Sequence, residues 1–116
     1  MAIPRQKMPE REPDERNRDF REVNLGFQES IARLEAQRCL QCKDAKCIAG
    51  CPVGIDIPGF LEKVAQGDLR GAAELLLSAN ALPGITGRVC PQEEQCEMVC
   101  VRGKKGQPVA VGHLER

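Results

Sequence analysis

Seven cysteines in a chain of 116 residues constrain this fold more than any other feature. Four of them, Cys39, Cys42, Cys47 and Cys51, form a C-x2-C-x4-C-x3-C run closed by Pro52. Cys90, Cys96 and Cys100 follow at C-x5-C-x3-C, with Pro91 after the first. A chain this short buries little apolar surface to set against its ordering entropy. Only Phe20, Phe27 and Phe60 supply large rings. A covalent or metallic staple is therefore expected, and the thiols are the material for it. Disulfides fit poorly, because an odd count leaves one thiol over. The N-terminus also has no apolar stretch of the kind that directs a chain to an oxidising compartment, so a cytoplasmic location is expected.

Charge narrows the field further. Seventeen basic residues balance seventeen acidic ones, so no bulk electrostatic attraction to nucleic acid or an anionic membrane is expected. No apolar run approaches the roughly 18 residues that span a bilayer.

Residues 1–19 are charged and punctuated by Pro4, Pro9 and Pro13, which reads as an extended arm, solvated in the isolated chain or laid across a partner subunit, and composition does not choose between the two. Residues 20–116 read as one domain. Phe20, Val23, Leu25 and Phe27 are its first apolar anchors, and a helix from about Gln28 carries Ile31, Leu34 and Arg38 on one face. That helix delivers Cys39, and a tight loop with one helical turn follows to Cys51. Asp56 and Asp68 read as N-caps of two further helices, with Pro58 in the first turn of one and Gly67 ending it. Asn80 to Val89 reads as a loop, and a short helix is expected from Gln92 to about Cys100. No alternating strand pattern of useful length is present. The expected class is all-α with long loops.

Thiolates select soft or borderline metals, chiefly zinc or iron–sulfur clusters. C-x2-C alone suits either, and a zinc-stapled interaction module is the plainer reading. Against zinc, His113 is the only histidine, and the second cysteine group does not repeat the paired C-x2-C halves of a zinc ribbon. Bacterial 4Fe–4S runs end in x3-C-P and hand their fourth cysteine to a neighbouring cluster. Cys47 with Cys51, and Cys96 with Cys100, are both i, i+4 pairs. On helical turns each pair would align two thiols along one edge, serving two adjacent centres. Two four-iron clusters need about eight ligands, one more than the cysteines supply. Among nearby cations, Arg38, Lys43, Lys46, Arg88, Arg102, Lys104 and Lys105 are mostly ordinary surface charge, and a few would raise a cluster's potential.

Five ordered segments carry a resemblance to a known family. They are Arg11-Glu12-Pro13-x-x-Arg16, Phe20-x-Glu22-Val23-x-x-Gly26-Phe27, Arg38-Cys39-Leu40-x-Cys42, Cys51-Pro52-Val53-x-Ile55-x-Ile57-Pro58 and Gly87-Arg88-Val89-Cys90-Pro91. From about residue 10 onward the chain resembles the N-terminal domain of the NADPH-dependent glutamate synthase small subunit family. Related domains begin the ferredoxin–NADP oxidoreductase large subunit and dihydropyrimidine dehydrogenase. The resemblance implies an α-helical ferredoxin-like fold around two 4Fe–4S clusters. It implies Cys39, Cys42, Cys47 and Cys100 on one cluster, and Cys51, Cys90 and Cys96 on the other. It implies an eighth ligand in a Gly-x-Leu-Glu/Gln context, which Gly112-His113-Leu114-Glu115 fits, making Glu115 the candidate.

The resemblance further implies FAD- and NADPH-binding domains in the same parent subunit, with a glutamate synthase large subunit or similar as partner. The implied function is electron relay between flavin and that partner. A ferredoxin–NADP or sulfide-linked oxidoreductase is the alternative parent. The chain itself carries no dinucleotide fingerprint, since Arg102-Gly103-Lys104-Lys105-Gly106 lacks the third glycine and a preceding strand. It has no Ser/His/Asp or Cys/His set either, so catalysis by the chain alone is not expected.

Overall fold

A computed structural model describes residues 2–116. Its helices are α1 (Pro13–Arg16), α2 (Glu29–Ala36), α3 (Lys46–Gly50), α4 (Ile57–Gln66), α5 (Leu69–Ala79), α6 (Pro83–Val89) and α7 (Val111–Glu115). Two 3-10 turns, Gln92–Glu94 and Val101–Lys104, complete the set. Among the described residues there is no strand, only an isolated antiparallel bridge between Glu10 and Asn24. No helix is long and apolar enough to cross a membrane.

The α4–α5 hairpin forms the core. Asp56 accepts the Gly59 N–H at 3.1 Å, and Asp68 accepts the Gly71 N–H at 2.9 Å, so each helix starts on a carboxylate cap. Gly67 ends α4 at φ 84°, a left-handed conformation that glycine adopts without a Cβ penalty. Ile57, Phe60, Leu61 and Val64 are buried at i, i+3, i+4 and i+7. They meet Ala72 and Leu76 of α5 and Ala36 of α2. Val109 and Val111 close the far side.

Several sequence expectations are corrected. Phe20 is fully exposed at 109 %, and Val23 and Leu25 also face solvent, so they do not anchor the domain. Of that group only Phe27 is partly covered, edge-on to His113 with ring centroids 5.7 Å apart. On α2 the buried residues are Glu35 and Ala36, while Leu34 is exposed. The Asn80–Val89 stretch is not a loop throughout: Pro83 opens α6, where its missing N–H and fixed φ suit the first turn. The stretch after Pro91 is not a helix to Cys100 but a 3-10 turn followed by irregular turns.

Residues 2–19, expected as a solvated arm, lie along the domain instead. Leu25 N–H donates to Pro9 O at 2.8 Å and Arg11 N–H to Val23 O at 2.9 Å. Met8 is buried. Arg5 forks onto both Glu97 carboxylate oxygens at 2.9 and 3.0 Å and also donates to Pro108 O. The physical reason lies in a buried ion pair. Glu35 is 0 % and Arg38 4 % exposed, and Arg38 Nη1 donates to Glu35 Oε1 at 2.6 Å. Glu35 also accepts the Ala110 N–H at 2.8 Å and the Gln6 N–H at 2.7 Å. Arg38 donates to Ile3 O, Gln107 O and Pro108 O. The arm, α2 and the 107–110 segment thus supply one another's partners, as buried polar groups require.

Candidate metal centre

The cysteines stand around two cavities. Cys39, Cys42, Cys47 and Cys100 line the first. Cys51, Cys90, Cys96 and Glu115 line the second, with Asn80 and Thr86 beside them. The helix α3 joins the two. Cys47 lies within it, and Cys51 is its C-cap with extended backbone. Four residues of helix rise about 6 Å, so the cavities are neighbours. Cys96 and Cys100 divide in the same way, although no helix links them.

Local structure aims these side chains. Cys39 follows the end of α2, its N–H bonded to Ala36 O at 3.0 Å. Gln41 then turns the chain at φ 49°, a left-handed conformation uncommon outside glycine. Its side chain donates to Pro58 O at 3.0 Å. A strained residue here brings Cys39 and Cys42 to one cavity. On the second cavity, Asn80 Nδ2 donates to Glu115 Oε1 at 2.9 Å and to Thr86 Oγ1 at 2.7 Å. Thr86 Oγ1 lies 2.6 Å from the same Glu115 oxygen. Both bonds fall on Oε1, so the carboxylate is fixed in orientation while Oε2 stays outside this network. Packing holds α7 in place: a Cβ on Gly87 would meet Arg116 N at 2.6 Å and Gly112 O at 2.8 Å.

The thiols influence one another within each cavity. Burial first, then the neighbouring Cys39, Cys100 and Cys42, pushes the Cys47 thiol up to about 11. Burial also raises Cys39, with Cys100 and Cys42 adding to it after the Gln41 N–H opposes it. On the other side, burial followed by Glu115 and Cys51 raises Cys90. Burial followed by Glu97 pushes Cys96 up to about 12, with Cys51 contributing less. These thiols are protonated at neutral pH, so a metal centre must displace their protons on binding.

The donor set fits an iron–sulfur cluster. All seven cysteines are free of disulfides. The four-thiol wall is a soft site of the kind that clusters use, and the second wall sets one harder carboxylate beside three thiols. A buried donor also lacks an acceptor at the four-thiol cavity: Arg102 lines it, and its Nε has no hydrogen-bond partner among the described residues.

The Asn80–Thr86–Glu115 contact is not visible in the sequence pattern, because the three residues belong to separate segments. Asn80 as the residue after a helix, followed by Pro83, was its nearest signal.

Comparison with known proteins supplies an independent line. The family model described as dihydropyrimidine dehydrogenase domain II, 4Fe–4S cluster, matches residues 16–116. Over 111 residues the chain is 40 % identical to the putative oxidoreductase AegA of Escherichia coli, covering 90 % of the chain and 17 % of that protein. It is 37 % identical to the glutamate synthase (NADPH) small chain of Azospirillum brasilense, covering 96 % of the chain and 23 % of the relative. It is also 37 % identical to the NAD-dependent dihydropyrimidine dehydrogenase subunit PreT of E. coli, covering 82 % and 23 %. The chain spans about a fifth of the length of the curated relatives it matches.

Proposed function

Because the chain belongs to the dihydropyrimidine dehydrogenase domain II, 4Fe–4S cluster family, we propose that it is a two-cluster electron-transfer module. In this reading it relays electrons between a flavin in an FAD- and NADPH-binding domain of its parent subunit and a partner subunit. The parent is a glutamate synthase-type oxidoreductase, with the partner its large subunit. The names of the relatives support an oxidoreductase context. Seven unpaired thiols suit a reducing compartment such as the cytoplasm.

The observation that carries the reading is the division of the thiols between two adjacent cavities. Bound there, each cluster supplies a one-electron store whose potential the protein tunes. Cys39, Cys42, Cys47 and Cys100 hold one, and Cys51, Cys90, Cys96 and Glu115 hold the other. The Gln41 N–H stabilises negative charge on the Cys39 sulfur. Asn80 and Thr86 fix Glu115 by one oxygen, so that the other is presented without rotamer search. The core residues Ile55, Ile57 and Val111 on the second cavity keep water from its ligands.

The test is anaerobic reduction followed by EPR on the wild type and on Glu115→Ala. The wild type is expected to accept about two electrons per chain, one per cluster, and to return them to an oxidant. Glu115→Ala is expected to alter one cluster's signal and leave the other unchanged. Identical spectra in the two proteins would remove Glu115 from the ligand set. A wild type that takes up no electrons reversibly would end the electron-transfer reading.

A further inference from the structure

We propose that Arg102 is a positioning residue for the four-thiol cavity, donating its Nε–H to a cluster sulfur there and raising that cluster's potential. The inference rests on the iron–sulfur reading above and adds to it a specific donor.

The cations close to the cysteines in sequence separate once their contacts are known. Arg38 is committed to Glu35, Ile3 O, Gln107 O and Pro108 O. Lys46 pairs with Asp44. Arg88 is bonded to Glu22 and Gly84 O. Lys43, Lys104 and Lys105 are exposed, where water and salt screen their charge. Arg102 differs from all of these. Its Nε is buried and lacks an acceptor among the described residues. Arg102 lines the four-thiol cavity, with Leu40, Cys100 and Val101.

Arg102 also lines the neighbouring groove of about 590 Å³, so the side chain stands between the thiols and an open basic surface. A buried N–H without an acceptor is a cost that native folds rarely keep. Thiolate and sulfide sulfur accept N–H bonds, and such bonds are an established control on cluster potential. Reduction adds one electron and its negative charge to the centre, with no bond made or broken. A donor fixed beside that charge strengthens its bond on reduction and so favours the reduced state.

The experiment is a dithionite titration of the full chain, monitored by EPR, for the wild type, Arg102→Met and Arg102→Lys. Iron is counted first. A wild type without iron overturns the functional reading and this inference with it. An iron-loaded wild type whose Arg102→Met potentials are unmoved overturns this inference alone. The expected result for Arg102→Met is a tenfold shift of one cluster's equilibrium toward the oxidised form. That is about 59 mV downward for a one-electron couple, with the other cluster unchanged. Arg102→Lys keeps the charge without the fixed donor and is expected to fall between the two. A Lys variant at the wild-type potential would overturn the donor assignment. Should the Met variant bind no iron, Arg102→Lys decides alone: a drop confined to one cluster supports the proposal, and no drop overturns it.

Discussion

Glu35→Ala is expected to cost about 3–5 kcal/mol, because it leaves the Arg38 guanidinium buried without its counter-charge. The same change strips the Ala110 and Gln6 amides of their acceptor. A small domain has roughly 5–15 kcal/mol to lose, and one with few large apolar side chains lies toward the lower end. The loss therefore reaches function. Gln6 belongs to the N-terminal segment, Arg38 directly precedes Cys39, and Ala110 caps the helix that bears Glu115. Releasing Glu35 frees all three at once. Urea unfolding should show a much lower midpoint, and iron uptake should fall with it. Arg38→Met is expected to cost a similar amount by orphaning the carboxylate. The double variant should cost less than the two singles together, since no charge is then left unpaired. A Glu35→Ala protein within about 1 kcal/mol of wild type would show that the pair is dispensable.

Cys96→Ser and Cys100→Ser are expected to remove different clusters, although the two positions are four residues apart. Cys96 lines the cavity with Cys51 and Cys90, while Cys100 lines the one with Cys39, Cys42 and Cys47. A serine hydroxyl is a harder and weaker ligand for iron–sulfur centres than a thiolate. Each variant should keep about four of about eight irons, and each should lose a different EPR signal. Cys47→Ser and Cys51→Ser, at the two ends of α3, should reproduce the same division. Loss of the same signal from Cys96→Ser and Cys100→Ser would contradict the partition.

Local chemistry was readable in advance. Asp56, Asp68, Pro58 and Gly67 act within a few residues of themselves, so their caps and stops follow from sequence. Cysteine spacing likewise announced a soft metal site. What could not be read depended on distant partners. Glu35 and Arg38 sit at i, i+3 among other charges, a pattern that ordinarily marks a solvated helix face. Their burial depends on backbone groups from residues 3, 6, 107, 108 and 110. Phe20 misled in the opposite direction, since an aromatic residue between charges looks like an anchor but is fully exposed. Pro83, Gly84 and Gly87 looked like loop punctuation. Pro83 in fact starts α6, and Gly87 lets that helix approach α7 closely. The 92–100 segment has acids after a proline, a fair helix start, yet it forms irregular turns, and Cys96 and Cys100 line different cavities.

Seven thiols and a carboxylate are proposed to hold two four-iron clusters. Iron, acid-labile sulfide and zinc counted on the anaerobically purified chain test it most directly. About eight irons and eight sulfides per chain are expected, with no stoichiometric zinc. A colourless protein carrying zinc in place of iron, with no labile sulfide, would contradict it.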